Sequence, residues 1–151
     1  SAGLMVLSAS NDTHISIPWK VSIFLGGGPA LATTLVLFCS HFHQVLEDEA
    51  HGKKSPLVRL GTKFSAKLIP WFISLIFALE WIPIFLGELP RAALLSVISL
   101  PFAIYLIRLI NKHHHQPELI KKSKFIALRF QSINGFAISL GLALAKMAEI
   151  K

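Results

Sequence analysis

Cysteine, charge and polar linkers are all scarce in this sequence. Cys39 is the only cysteine among 151 residues, which excludes an internal disulfide and a cysteine-rich metal site. Charged residues make up only 15% of the chain, which is too few for a soluble domain of this length. The sequence also contains no repeat of solenoid length and no low-complexity tract. Disulfide-stabilised scaffolds and repeat proteins are therefore excluded, and the apolar sequence remains to be explained.

Long apolar runs dominate the chain, which is 53% hydrophobic and has a mean hydropathy of +0.60. A helix crosses the hydrocarbon core of a bilayer with about 20 apolar residues. Four runs approach or reach that length: roughly Val21 to Phe38, Leu68 to Leu86, Ala92 to Ile110 and Phe125 to Ala145. The sequence therefore predicts an all-α fold, a polytopic transmembrane helical bundle with about four spans in a lipid bilayer.

The first residues are apolar and carry no initiator methionine and no charged segment of a signal peptide. We interpret Ala2 to Ala9 as the remnant of a fifth span. We therefore expect residues 1–151 to be the C-terminal portion of one membrane domain whose first half is missing.

The net charge of +7 is interpreted as membrane orientation and not as nucleic-acid binding, because Lys and Arg accumulate in loops on the non-translocated side. Four spans place two basic loops on one side and three other segments on the opposite side. The first side carries Lys53, Lys54, Arg59, Lys63, Lys67, Arg108, Lys112, Lys121, Lys122 and Lys124, and the other carries Lys20, Arg91, Lys146 and Lys151. The first side is predicted to face the cytoplasm or the stroma of a plastid.

Charge concentrates in one stretch, HFHQVLEDEAHGKKSPLVRLGT, from His41 to Thr62. We expect the preceding helix to continue through this stretch to Ala50 and to stop at Gly52. Gln44 and Asp48, four residues apart, would then share one face with His41.

The order of acid and base in this stretch predicts a magnesium-bridged diphosphate. Mg²⁺ prefers one or two carboxylates together with waters and substrate phosphates, so Asp48 is the first candidate ligand and Glu47 or Glu49 the second. Gln44 can offer a carbonyl oxygen or a hydrogen bond. The cations that would neutralise phosphate charge are Lys53, Lys54 and Arg59. The alternative is a juxtamembrane loop whose charges face water.

Three further features have a structural and a functional interpretation. Glu80 is the only ionisable residue well inside an apolar run, so it faces a polar partner within the bundle or marks a polar cavity. The glycines before Pro29, Gly26 to Gly28, indicate close helix packing or a bend beside a cavity. Consecutive side chains diverge round a helix, so His113 to His115 favour a solvated basic loop over a metal site.

Considered as a whole, the charged stretch resembles the second aspartate-rich region of the UbiA-type membrane prenyltransferases. In that region an Asp-x-x-x-Asp pattern precedes Gly-Lys and an Arg-Leu-Gly tail. Here these elements are Gln44, Asp48, Gly52-Lys53-Lys54 and Val58-Arg59-Leu60-Gly61. The longer string, with IPWF, LPFAIYLIR and KFIALRF, is similar to the cyanobacterial and plastid branch of the 1,4-dihydroxy-2-naphthoate prenyltransferases (MenA type).

The resemblance implies a Mg²⁺-dependent membrane prenyltransferase of phylloquinone or menaquinone biosynthesis in a chloroplast membrane, or in a bacterial inner or thylakoid membrane. It implies transfer of a prenyl group, with phytyl diphosphate as the expected isoprenoid donor, to 1,4-dihydroxy-2-naphthoate, whose carboxylate leaves as carbon dioxide. It implies catalytic roles for Asp48 and Gln44, metal ligation by Asp48 and Glu47, and diphosphate binding by Lys53, Lys54 and Arg59. Gln44 replaces the first Asp of the usual pair, and the family's Asn-Asp-x-x-Asp motif is absent, so this chain alone is expected to be an incomplete catalytic unit.

Two alternatives remain at this stage. One is a sister prenyltransferase with another acceptor, such as homogentisate or chlorophyllide. The other is a non-catalytic membrane subunit or transporter, in which Glu80 would mark the pathway and the charged stretch would serve only orientation.

Overall fold

The computed structural model describes residues 19–149, and within them every regular element is a helix. Four long helical segments are connected by short ones. The elements are α1 Trp19–His41, α2 Val45–Ala50, α3 Pro56–Leu60, α4 Thr62–Phe85, a 3-10 helix Arg91–Ser99, α5 Leu100–His113, α6 Pro117–Ile120 and α7 Ser123–Glu149.

Within the part of the chain that the structure describes, four helical segments are long and apolar enough to cross a membrane: Ser22–His41, Thr62–Phe85, Arg91–His113 and Pro117–Ala148. They coincide with the four predicted spans, so the predicted all-α polytopic bundle is confirmed. The predicted remnant from Ala2 to Ala9 lies outside the described residues.

The bundle core lies where α1 meets α4 and α7, and α7 also packs against α5 and the 3-10 helix. Leu35, Ile69, Leu106 and Phe130, one from each long segment, are fully buried. Large apolar side chains also cover the outside of the bundle, where Trp71 is 75% exposed. A bundle that is apolar both inside and outside is expected of helices surrounded by lipid.

Two close helix contacts depend on glycine. A Cβ atom on Gly28 of α1 would lie 2.8 Å from Oε1 of Glu80 on α4, and one on Gly27 would lie 3.1 Å from Leu79 Cδ1. On α7, a Cβ on Gly141 would lie 2.3 Å from the carbonyl oxygen of Ala92 in the 3-10 helix. The packing interpretation is thereby confirmed for Gly27 and Gly28, since small residues let membrane helices approach closely.

The third span differs from the single α-helix that its hydropathy predicts. Its first nine residues, Arg91–Ser99, form a 3-10 helix, and only Leu100–His113 is α-helical. Pro101 gives the physical reason for a boundary here. Proline has no N–H to donate to the carbonyl four residues earlier and its ring crowds that carbonyl, so an α-helix is broken there unless the proline lies in its first turn.

Candidate functional site

The charged stretch forms a folded cap at the end of α1, with two short helices. α1 ends at His41, and residues 42–44 form a turn in which the Gln44 N–H donates to the His41 carbonyl at 3.1 Å. The Asp48 N–H then donates to the Gln44 carbonyl at 2.8 Å, which starts α2. The predicted continuous helix to Ala50 is therefore wrong, because this i to i+3 contact replaces the i to i+4 pattern and interrupts the α-helix before α2 begins.

The end of α2 brings the chain back towards Asp48. Gly52 adopts a φ of +67°, which glycine accepts without steric cost. The Lys53 N–H donates to the Asp48 carbonyl at 2.8 Å, and Lys53 Nζ lies 3.5 Å from Asp48 Oδ1. The predicted helix stop at Gly52 is confirmed, and it places the first lysine beside the carboxylate.

Asp48 is buried although it carries charge, with 7% of its surface exposed. The Ser55 hydroxyl is the main cause that holds the pKa of the Asp48 carboxyl below its ordinary value, Lys53 acts in the same direction, and burial opposes both. Neither Ser55 Oγ nor Asp48 Oδ2 completes a hydrogen bond with any residue in the described part of the chain. We therefore treat the hydroxyl as a nearby dipole that favours the ionised carboxylate.

His41 adds a third polar group to this place. Its Nδ1 is buried and has no hydrogen-bond partner within residues 19–149, and its ring also lowers the pKa of Asp48. Buried polar atoms are nearly always hydrogen-bonded, so unpartnered ones require an explanation. Three such atoms, from His41, Asp48 and Ser55, make this cap a candidate binding site for a polar or ionic ligand.

The other predicted site residues lie around this cluster without joining it. Gln44 is half-buried, and no hydrogen bond connects its side chain to Asp48 among the described residues. Besides Lys53, the exposed members of the predicted set are Glu47, Glu49, Lys54 and Arg59. The described residues contain no group of three or more His, Cys, Asp or Glu side chains arranged to hold a metal ion. Asp48 and Lys53 are thus brought together, while the side chains of the remaining predicted residues form no hydrogen bond or ion pair with either of them within the described part of the chain.

Ser55 is the site residue that the sequence reasoning missed. It is the N-cap of α3, followed by Pro56 at the first helical position, and it is buried at 5% exposure. The Ser-Pro pair is a recognisable helix start. That pattern predicts where α3 begins. It does not show that the Ser55 hydroxyl faces Asp48, because the turn at Gly52 determines where the following residues lie relative to Asp48.

Glu80 belongs to a different part of the bundle. Its Oε1 accepts a hydrogen bond from Asn134 Nδ2 on α7, and the Asn134 Oδ1 accepts one from Ser99 Oγ at 3.0 Å. The adjoining cavity measures only about 10 Å³, room for one water at most. This geometry favours the structural interpretation, in which Glu80 pairs with a polar partner, over a transport pathway.

The three consecutive histidines also have separate contacts. His113 Nδ1 lies 2.9 Å from the Gln116 Oε1, and His114 Nδ1 lies 3.2 Å from Thr62 Oγ1 at the start of α4. His115 packs its ring edge-on against His114. Among the described residues, the hydrogen-bonding contact between His114 and Thr62 connects this loop to α4.

Two curated proteins align with nearly all of this chain. A 2-carboxy-1,4-naphthoquinone phytyltransferase from Synechocystis sp. is 36% identical over 141 residues, which are 91% of this chain and 45% of that protein. The chloroplastic 2-carboxy-1,4-naphthoquinone phytyltransferase of Arabidopsis thaliana is 35% identical over 147 residues, which are 95% of this chain and 37% of that protein. No family model and no solved structure matches the chain.

The chain spans less than half the length of both relatives. Their similarity nevertheless covers the bundle and the cap that holds Asp48, and one relative is cyanobacterial while the other is chloroplastic. The resemblance of this chain to the cyanobacterial and plastid branch of the UbiA-type prenyltransferases, indicated by the charged stretch, is thereby confirmed.

Proposed function

We propose that this chain is part of a membrane prenyltransferase that transfers a phytyl group from its diphosphate to 1,4-dihydroxy-2-naphthoate, with decarboxylation, in phylloquinone-type biosynthesis. The observation that carries the proposal is the buried carboxylate of Asp48, paired with Lys53 at one end of the helical bundle. The choice of phytyl transfer as the reaction is supported by the two relatives, which are both named as phytyltransferases.

A magnesium ion fits this site only in part. Asp48 has one oxygen without a partner among the described residues, so it would hold the ion directly. Glu47 is exposed and adjacent to Asp48 on α2, where consecutive side chains diverge, so it would assist only through a metal-bound water. One carboxylate can suffice for Mg²⁺ when waters and substrate phosphates complete its octahedron. When bound, the ion supplies Lewis-acid stabilisation of the departing diphosphate. The partial donor set agrees with further ligands supplied by a longer protein.

The basic residues of the cap would bind the diphosphate. The Lys53 side chain is 64% exposed, so its ammonium can turn from Asp48 to a phosphate oxygen without disturbing the core. Lys54 and Arg59 are exposed on the same segment and would add charge-assisted hydrogen bonds. Gln44, half-buried one turn before Asp48, would orient the carboxylate or a water.

The reaction would begin when the bond between the allylic carbon and the diphosphate oxygen breaks and the diphosphate leaves with the electron pair. The lysines and Arg59 would stabilise the negative charge that develops on it. The naphthoate ring carbon that bears the carboxylate would then attack the allylic cation and form the new C–C bond. The bond from that carbon to the carboxylate would break, its electron pair would return to the ring and restore aromaticity, and carbon dioxide would leave. Naphthoate would thus be both the nucleophile and the source of the second leaving group.

The prenyl chain would lie along the outside of α4. The outward face of α4 there is apolar and carries Leu68, Trp71, Phe72, Ser74, Leu75 and Ala78. This face begins about two turns after Thr62, at the end of α4 that lies on the same side as the cap. A polyisoprenoid tail is compatible with an apolar helix face that is open to lipid.

The membrane would be that of a plastid or a cyanobacterium. The proposal follows from one chloroplastic and one cyanobacterial relative and from four helices able to span a bilayer.

Turnover by a full-length protein that contains this chain tests the assignment. Asp48→Ala should abolish phytyl transfer to 1,4-dihydroxy-2-naphthoate while the amount of protein in the membrane stays unchanged. Glu118→Ala is the matched control, because it removes an exposed carboxylate from the second basic loop, where Glu118 pairs only with Lys121 within the described chain. Near-normal turnover by Asp48→Ala would contradict the proposal. Preferred turnover of homogentisate or chlorophyllide would instead identify a related prenyltransferase with that acceptor.

A further inference from the structure

A second, separate groove lies between α5 and α7 at the basic end of the bundle. It encloses about 340 Å³ and is lined by Tyr105, Lys122, Phe125, Ile126 and Arg129. It shares no lining residue with the cap, which is built from the segment between α1 and α4. The prenyl-transfer proposal therefore gives this groove no role.

The charge of the groove is not balanced by protein carboxylates. Lys122 and Arg129 are both exposed, and neither forms an ion pair with an acidic residue whose side chain is described, that is, within residues 22–148. Lys124 Nζ, just beside the groove, lies 5.2 Å from the centre of the Phe125 ring. Two cations thus line the groove and a third lies against the Phe125 ring that also lines it, so the electrostatic field of the groove favours an anion.

The apolar part of the groove indicates that the anion has a lipid tail. Tyr105 is 56% exposed and Phe125 is 58% exposed. These aromatic side chains belong to helices that are long and apolar enough to span a membrane. Aromatic residues concentrate at the level of lipid headgroups, where one end of the ring is apolar and the other is wet. A free inorganic anion would gain nothing from this aromatic surface.

The spacing of the two cations matches the boundary between headgroups and acyl chains. Lys122 immediately precedes α7 and Arg129 lies inside it, so seven residues at about 1.5 Å each separate them by roughly 10 Å along the helix. Lys122 would therefore reach the headgroup level while Arg129 reaches the glycerol and phosphate from below. Long basic side chains bend towards the interface in this way.

We propose that this groove binds an anionic phospholipid, with its phosphate between Lys122 and Arg129 and one acyl chain against Tyr105 and Phe125. Basic pockets between membrane helices recognise anionic headgroups through the same combination of charge and apolar surface. The guanidinium of Arg129 can hold two phosphate oxygens at once. The bound lipid would join α5 to α7 at the end of the bundle where the cap lies.

Native mass spectrometry of the whole chain, purified in detergent with equal amounts of phosphatidylglycerol and phosphatidylcholine, tests this proposal. The wild-type chain should retain phosphatidylglycerol in preference to phosphatidylcholine. The double variant Lys122→Gln/Arg129→Gln should retain roughly 25-fold less, since each juxtamembrane cation contributes about five-fold. The control Lys112→Gln/Lys121→Gln removes two exposed cations from the same end of the bundle, outside the groove, and should retain the lipid.

Each other outcome overturns the proposal. Equal losses in both double variants would show that only the general charge of this end matters. Equal retention of phosphatidylcholine would show an apolar groove without charge recognition. Displacement of the lipid by excess inorganic phosphate or diphosphate would identify a free-anion site. All four substituted side chains are exposed, and an unchanged thermal melt of each variant confirms that lipid loss does not result from misfolding.

Discussion

Replacing Gly141 by alanine tests whether α7 and the 3-10 helix are packed as closely as the structure describes. The new Cβ would lie 2.3 Å from the Ala92 carbonyl oxygen, 2.6 Å from its carbon and 2.9 Å from Ala93 Cα. All three atoms belong to the backbone, so no side-chain rotation can relieve the overlap. The two helices must separate, and overpacking of this kind costs about 1–3 kcal/mol.

Gly135, six residues earlier on the same helix, provides the matched control. A Cβ at Gly135 meets no atom within 4 Å, so alanine adds no steric overlap there. Glycine inside a helix is less favourable than alanine by roughly 0.5–1 kcal/mol, and Gly135→Ala should therefore stabilise the chain slightly. The same chemical change on one helix is thus expected to have opposite signs at the two positions.

Thermal unfolding of the purified chain in detergent measures both variants. For a chain of about this size, 1 kcal/mol corresponds to roughly 2–4 °C in Tm. Gly141→Ala should consequently unfold several degrees below the wild-type chain, and Gly135→Ala at or slightly above it. Equal melting temperatures for the two variants would refute the packing of α7 on the 3-10 helix and the register on which it depends.

Two further predictions concern the buried carboxylates. Glu80→Gln should keep an acceptor for Asn134 and unfold at a temperature close to that of the wild-type chain. Glu80→Leu leaves the Asn134 amide unpaired, which costs about 1–3 kcal/mol and lowers the melting temperature. Similar melting temperatures for the two variants would contradict the hydrogen bond. Because the pKa of Asp48 is lowered on folding, its contribution should be complete above the ordinary carboxyl pKa of about 3.9 and be lost as the pH falls through the lower folded value. Hydrogen exchange of the Lys53 amide, followed from pH 6 downwards, should show this loss of protection, and an unchanged profile in Lys53→Gln would exclude the ion pair as a cause.

Hydropathy predicted the spans because burial in a bilayer requires about 20 consecutive apolar residues whatever their neighbours are. Pairwise packing is less accessible from sequence. The glycines at Gly27 and Gly28 indicated a close contact, but their partners on α4 depend on how far the two helices slide past one another. The hydrogen bond between Glu80 and Asn134 joins residues 54 positions apart, and a single sequence contains no information that pairs them.

The part of the candidate site that depends on local sequence was predicted, and the part that depends on how successive turns combine was not. Glycine at position 52 permits a positive φ, so the stop of α2 and the nearby lysines followed from local chemistry. The turn over residues 42–44 was missed because helical and turn conformations differ there by one hydrogen-bond register and little energy. Ser55 was missed because its position beside Asp48 results from two successive turns, at Gly52 and before Pro56. The sequence indicates each turn but not the combined direction that they give the chain.

The length of α7 relates the bundle to the thickness of its membrane. Its 27 residues extend for about 40 Å at 1.5 Å each, whereas the hydrocarbon core measures about 30 Å. Such a mismatch is accommodated by tilting, or by letting one end project into the headgroup layer. The projecting end that carries Lys124 and Arg129 would also rest on Phe125 as an interfacial anchor. A thicker or thinner bilayer would therefore shift these cations relative to the plane of phosphates. The shift would also reach the cap that holds Asp48, because Ser123 Oγ at the start of α7 donates a hydrogen bond to the Cys39 carbonyl near the end of α1.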